Sequence, residues 1–380
     1  MRALVLRAPI YEPNSHGGTA RALAIACHKA GIPTRIANCS SGLWANFPLK
    51  LRREETEILT ELEKTPVKPY EYWLVQHLVP NQFVYDPFAY KNVGYATFET
   101  DSIPQEWLVP MQAMDEVWCA SLFNIRTYGA AGVKKQLRLL PHGIDLDIFN
   151  EAKPEGLFDM GLPQDAVKFG CCFDWTPRKN GLSVIQAFLH QFRDRTDAVL
   201  ALKIYFKGEN QINSLRNAIK GLREELKVGE FPKVYVCNEI IPDWYMSSFY
   251  HQIDCLVSVS HGEGFNKPVL EAMACGIPSI VTGWGGHMDF CNSSNSMWIA
   301  NCPLGPVQQE QVMACGDIYA NQNWSFPSLF DIAQNMEWFA SFRNTDFIKR
   351  IKENCLLTAR SFAWSNVAQH VKEIIEHEGD

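Results

Sequence analysis

A chain of 380 residues is long for a single hydrophobic core, so two domains of similar size are expected. With 47% hydrophobic and 20% charged residues and a formal net charge of −7, the composition is that of a globular protein. It lacks the basic excess of a general nucleic-acid binder, while a local basic cleft stays compatible with it. No apolar run of about 18 residues occurs, so no membrane-spanning segment is expected.

The opening Met1-Arg2-Ala3-Leu4-Val5-Leu6-Arg7 carries a charge inside it and reads as a first strand, not a leader. His16-Gly17-Gly18-Thr19 reads as a turn, Ala20 to Ala30 as a helix ending at Gly31, and Thr34 to Asn38 as a second strand. Such a unit implies a parallel sheet with helices on its faces. There is no Gly-x-Gly-x-x-Gly, which disfavours a dinucleotide cofactor. The charged stretch 50–64 suits a surface helix. Tyr72 to Gln76 is a strand with His77 at its end, and Gly94-Tyr95-Ala96-Thr97-Phe98-Glu99-Thr100-Asp101 follows a further strand. Leu139 to Asp145 is a strand end running into a Pro/Gly linker. Asp145-Leu146-Asp147 sits in that linker and reads as turn and cap carboxylates, not as a metal motif.

A second alternation follows: strands at 168–173, 199–206 and 233–237, with a helix at 181–192. Between the first strand and that helix lies Phe173-Asp174-Trp175-Thr176-Pro177-Arg178-Lys179-Asn180. Thr282 to Asp289 is a glycine-rich loop after another strand. The segment 361–380 closes the chain as a helix, with Ser365 as its N-cap and Val367, Val371, Ile374 and Ile375 on one face. Twelve cysteines without a Cys-x-x-Cys pair read as buried small hydrophobes in a reducing, cytoplasmic compartment.

The most specific pattern is His261-Gly262-Glu263-Gly264-Phe265-Asn266-Lys267-Pro268-Val269-Leu270-Glu271-Ala272-Met273-Ala274-Cys275-Gly276-Ile277-Pro278, preceded by the apolar run Asp254 to Ser260. It reads as strand, glycine turn and helix, with Pro268 at the first helical position and Gly276 as the stop. The backbone N–H groups of residues 264 to 270 then converge on one point, a ready anion site. Glu271 is expected within the first helical turn, able to accept hydrogen bonds from ligand hydroxyls.

This run resembles the signature of retaining nucleotide-sugar glycosyltransferases of glycosyltransferase family 4, whose GT-B fold has two Rossmann-like parallel-sheet domains facing an interdomain cleft. The linker Pro141-His142-Gly143-Ile144-Asp145 matches the family's form apart from one aliphatic swap. The resemblance implies an N-terminal domain at 1–144, joined by the terminal helix 362–380, and a nucleotide-sugar domain at 145–361. It implies that Glu271 holds the donor ribose, that Glu263 lies beside the donor sugar, and that Gly264, Phe265, Asn266 and Lys267 cradle the diphosphate. Lys179 matches the family's phosphate-binding lysine. The family's arginine position falls near Phe173, which cannot substitute, and Arg178 is the weaker second candidate. Gly17 and Gly18 would form the opposite wall. Glu99 takes the place of a sugar-contacting histidine, and His77 faces the same cleft.

The implied activity is transfer of a hexose from a UDP- or GDP-sugar to a sugar, lipid-linked or protein acceptor, with retention and without a cofactor or metal. Glu263, Glu99 and Lys179 are the catalytic candidates. The acceptor is expected on the N-terminal domain, including residues 40–70 and 80–110, and peripheral docking at the inner face of a membrane is left open. The missing arginine and replaced histidine leave a second reading, a degenerate binding or partner subunit. A third is epimerase or phosphorylase chemistry on the same fold.

Overall fold

The computed structural model describes residues 1–40, 49–154, 158–205, 208–227 and 230–377. The chain forms two compact units, Met1–Asp145 with Ser361–Asp380, and Leu146–Arg360.

The first unit alternates β1 (Ala3–Ala8), α1 (Ser15–Lys29), β2 (Thr34–Asn38), α2 (Arg53–Lys64), β3 (Tyr72–His77), β4 (Lys91–Ala96), α3 (Gln105–Ala113), β5 (Glu116–Cys119), α4 (Leu122–Ala130) and β6 (Gln136–Leu139). Its six strands lie in the order β2-β1-β3-β4-β5-β6, and the pairings are parallel. Buried positions fill β3 from end to end, as a parallel strand covered on both faces requires. The terminal helix, Trp364–His377, packs on this unit through buried Val367, Val371, Ile374 and Ile375, and Lys372 Nζ donates to Ala30 O at 3.3 Å.

Two local expectations change here. His16 to Thr19 is not a turn but the first turn of α1, because the Asn14 side chain accepts from Gly17 N at 2.8 Å and caps the helix five residues early. Ser365 is not a cap either. The terminal helix starts at Trp364, fixed by Trp364 N donating to Ile144 O at 3.1 Å. Residues 41–48 of the expected acceptor region, Phe206 of an expected strand and residues 378–380 of the expected terminal helix lie outside the described residues.

In the second unit come β7 (Val167–Asp174), α5 (Gly181–Gln191), β8 (Ala198–Tyr205), α6 (Glu209–Leu226), β9 (Lys233–Cys237), α7 (Ser247–Tyr250), β10 (Cys255–Ser258) and α8 (Lys267–Ala274). They are followed by β11 (Ser279–Thr282), β12 (Ser296–Ile299), β13 (Leu304–Pro306), α9 (Gln309–Cys315), β14 (Asn323–Ser325), α10 (Leu329–Phe342) and α11 (Asp346–Ser361). The main sheet runs β12-β11-β10-β7-β8-β9. One face is sealed by Phe169, Phe188, Phe192 and Phe339, with ring centroids 5.5 Å (Phe169–Phe192) and 5.9 Å (Phe169–Phe339) apart. Burying each such side chain stabilises by about 1.5–3 kcal/mol. The other face receives Ile253 and Tyr250: a Cβ on Gly170 would lie 2.4 Å from Ile253 Cδ1. All twelve cysteines are free, and Cys171 and Cys172 are adjacent residues of β7.

Candidate active site

The second unit gathers most of the singled-out residues at the C-terminal ends of β7 and β10. After β10 the chain passes through Glu263 and Gly264 to Asn266, whose φ of 72° is left-handed. Asn tolerates that conformation better than other non-glycine residues, and here its Nδ2 donates to Ser258 Oγ at 3.0 Å. α8 then starts at Lys267, so Pro268 is the second helical residue, and Gly276 (φ +71°) follows the end. Glu271 therefore opens the second turn and not the first. Lys267 Nζ stands 3.7 Å from Glu271 Oε1, one turn apart. The ring of amides is also smaller than expected. Pro268 has no N–H, and Val269 N donates to Asn266 O at 3.2 Å.

Arg178 and Lys179 lie on a short 3₁₀ turn, Pro177–Lys179, directly after β7. That turn is tied to the β10 loop by His261 N donating to Arg178 O (2.8 Å) and Asn180 Nδ2 donating to Val259 O (3.0 Å). Both basic side chains reach Glu263. Lys179 Nζ is 2.7 Å from Oε1 and Arg178 Nη1 is 3.3 Å from Oε2. Ser260 Oγ also donates to Oε1 at 2.7 Å, and Arg178 Nη1 donates to Gly262 O at 2.8 Å. Burial alone raises the Glu263 pKa, but Lys179, Arg178 and the Ser260 hydroxyl outweigh it and lower it to about 2. The carboxylate is thus ionised at neutral pH, with two cations fixed on it.

Glu271 is anchored differently. The buried Tyr250 hydroxyl donates to its Oε2 at 2.7 Å, which leaves Oε1 toward Lys267. Beneath the turn, the glycine-rich loop after β11 holds the Glu263 backbone: Gly286 N donates to Glu263 O at 2.7 Å. A Cβ on Gly285 (φ +124°) would sit 2.9 Å from that same oxygen. Thr282 Oγ1 donates to Ser260 O at 2.7 Å and His287 Nε2 bonds Thr282 O at 2.7 Å. The loop supports the turn through the Gly286 amide, the Thr282 hydroxyl and the His287 ring, contacts to which the sequence reading assigned no role.

Gly17, Gly18, His77 and Glu99 belong to the first unit. Gly17 is required by close approach: a Cβ there would lie 2.3 Å from Glu12 O and 2.8 Å from Pro9 O. Gly18 continues the same helical turn. His77 is buried at the end of β3, its carbonyl bonded by His16 Nε2 at 2.8 Å and its ring 5.7 Å from that of His142. Burial, then the two neighbouring histidines, push its pKa well below the usual imidazole value, so the ring is neutral. Its Nδ1 has no hydrogen-bond partner among the described residues. Glu99 is half-buried in the loop after β4.

Tyr250 and Ser260 are contributors that sequence reading did not single out. Among the described residues no group of three or more His, Cys, Asp or Glu side chains could hold a metal ion. No helix among them is long and apolar enough to cross a membrane.

Two Rossmann-like parallel-sheet units, one bearing a carboxylate–cation turn at its strand ends, define the architecture of GT-B glycosyltransferases. Residues 168–303 match the family model for Glycosyl transferases group 1, so the second unit contains a glycosyltransferase domain. The structure is similar to that of HepE from Anabaena, solved with UDP and glucose (13% identity, TM-score 0.64, 99% of this chain and 100% of that one). It is also similar to sucrose-phosphate synthase from Thermosynechococcus elongatus (16%, 0.67, 99% and 99%). A third likeness is to α,α-trehalose 6-phosphate synthase from Burkholderia multivorans (10%, 0.63, 100% and 99%). At these identities the likeness concerns the fold. No curated protein matches the sequence.

Proposed function

We propose that this protein transfers a hexose from a UDP- or GDP-sugar to a sugar, lipid-linked or protein acceptor, with retention of anomeric configuration and without a metal. The observation that carries the reading is the Glu263 carboxylate with Lys179 and Arg178 on it, beside the N-terminus of α8 and one helical turn from the Tyr250-anchored Glu271. Breaking the bond from the anomeric carbon to a diphosphate puts negative charge on the departing phosphate. Fixed cations and helix N-terminal amides stabilise it best when they need not reorganise. In this reading Lys179 and the 264–267 amides hold the diphosphate, Glu271 accepts from the ribose hydroxyls, and Glu263 stands by the sugar. Glu99 and His77 are assigned to the sugar or acceptor side. The complexes of HepE with UDP and UDP-glucose support a nucleotide-sugar donor, and the free thiols support a reducing, cytoplasmic compartment.

The test is transfer from a panel of nucleotide sugars by the wild type and by Lys179→Ala and Glu271→Ala. Each variant is expected to lose transfer at least about a hundredfold while melting as a folded protein. Full activity in both would remove the assignment. Binding of donors without turnover by the wild type would favour the degenerate partner, and conversion of donor alone would favour an epimerase.

A further inference from the structure

β8 is buried at each position from Ala198 to Ile204, and one of those positions is Lys203, 7% exposed. Among the described residues its ammonium has no hydrogen-bond or ion-pair partner. Most of the side chain is covered by its neighbours, and no ion pair among the described residues accounts for a lysine in this strand.

Its neighbours locate it. Lys203 pairs in register with Cys172 of β7 and Cys237 of β9, so these three side chains share one face of the sheet. Tyr250, the anchor of Glu271, lies near enough to the Cys172 thiol to act on its titration. Burial raises that thiol's pKa to about 11 against the opposing pull of Lys203, Tyr250 and Lys179. Cys172 is thus the register neighbour of Lys203 on β7, the strand whose C-terminal end leads to Lys179. In sheet order β10-β7-β8-β9, Lys203 is two strands from the glycine turn, roughly 10 Å at the usual strand spacing. Strand C-terminal ends are where open parallel sheets take their ligands.

We propose that Lys203 donates a hydrogen bond to a carbonyl oxygen of the donor's nucleobase and so selects uracil or guanine over adenine. The proposal rests on the glycosyltransferase reading and assigns it a donor class. With the diphosphate at the α8 N-terminus and the ribose at Glu271, the base continues past Cys172 toward β8. Uracil and guanine present exocyclic carbonyl oxygens to an ammonium; adenine presents an amino group there, itself a donor. A phosphate contact is disfavoured because the glycine turn follows β10, and β7 lies between β10 and β8.

The experiment is calorimetry of wild type, Lys203→Met and Lys203→Gln with UDP, GDP, ADP and inorganic pyrophosphate, alongside thermal denaturation. The wild type is expected to bind UDP or GDP more tightly than ADP. Lys203→Met should lose about ten- to a hundredfold in affinity for the preferred nucleotide, the usual worth of a charge-assisted hydrogen bond. ADP and pyrophosphate should be unaffected, and the melting temperature unchanged or raised. Lys203→Gln, which keeps a neutral donor, should fall between. Equal losses for all four ligands would make Lys203 a phosphate contact and overturn the proposal, as would undiminished UDP and GDP binding by both variants. If the wild type binds none of the nucleotides, the glycosyltransferase reading falls with it; if it binds them and the variants bind equally, only this proposal falls.

Discussion

Replacing Glu263 by glutamine keeps the side chain's shape and removes its charge, leaving Lys179 and Arg178 facing an uncharged acceptor. The effect on stability follows from the titration of the wild-type carboxylate. Its pKa is lowered from 4.5 to about 2 in the folded protein. A carboxylate depressed on folding stabilises the native state above its unfolded pKa, and this stabilisation is lost as pH falls through the folded pKa. At pH 7 the difference amounts to roughly 3 kcal/mol, and at pH 3 to roughly 1.5 kcal/mol. Glu263→Gln should therefore be less stable than wild type by about 3 kcal/mol at pH 7 in urea unfolding, with the gap narrowing by about half at pH 3. The two cations left without an anion place the pH 7 value at the high end. A gap that stays constant between pH 7 and pH 3 would mean that the loss is one of packing, and the electrostatic account of this turn would be refuted.

Gly17→Ala should lower stability by more than about 2 kcal/mol, since its Cβ would meet the backbone oxygens of Glu12 at 2.3 Å and Pro9 at 2.8 Å. An unchanged melting temperature would show that this backbone can give way. In the proposed mechanism Lys179, Arg178 and helix amides take the charge of the leaving group, so treatment with EDTA should leave the transfer rate unchanged. A tenfold fall reversed by a divalent cation would contradict the metal-free mechanism.

What could be read in the sequence was what is local in the chain. β10, the glycine turn and α8 lie within residues 255–274, so spacing alone placed Glu263 and Glu271 at one strand–helix junction. The cations come from 84 residues earlier; the family resemblance put them at the same donor but did not foresee their ion pairs with Glu263. The helix starts were displaced by asparagines whose roles are geometric. Asn14 caps α1 ahead of two glycines that otherwise read as a turn, and Asn266 takes a left-handed conformation from which α8 starts at Lys267, one residue before Pro268. Tyr250 sits in a four-residue helix, too short to leave a periodic signature. Lys203 was hidden for the opposite reason. A lysine in an apolar run reads as a strand end or an exposed edge, and only the pairings on both sides of β8 put it inside.

The ion pairs at Glu263 also bear on how the site can be ready before a donor arrives. Arg178 and Lys179 lie side by side on one short turn and would repel each other if both faced an empty anion site. Glu263 removes that repulsion and fixes both side chains by contacts of 2.7 and 3.3 Å. An ammonium has three hydrogens. With one donated to Glu263, Lys179 has others for phosphate oxygens, so a diphosphate can be received without breaking the pair. Arg178, Lys179, Lys203 and Lys267 against Glu263 and Glu271 leave two net positive charges, opposite in sign to the chain's −7. Such a local excess attracts a diphosphate while most of the surface repels it. In the proposed reaction Glu263 thus serves the leaving group indirectly, by holding its cations in place.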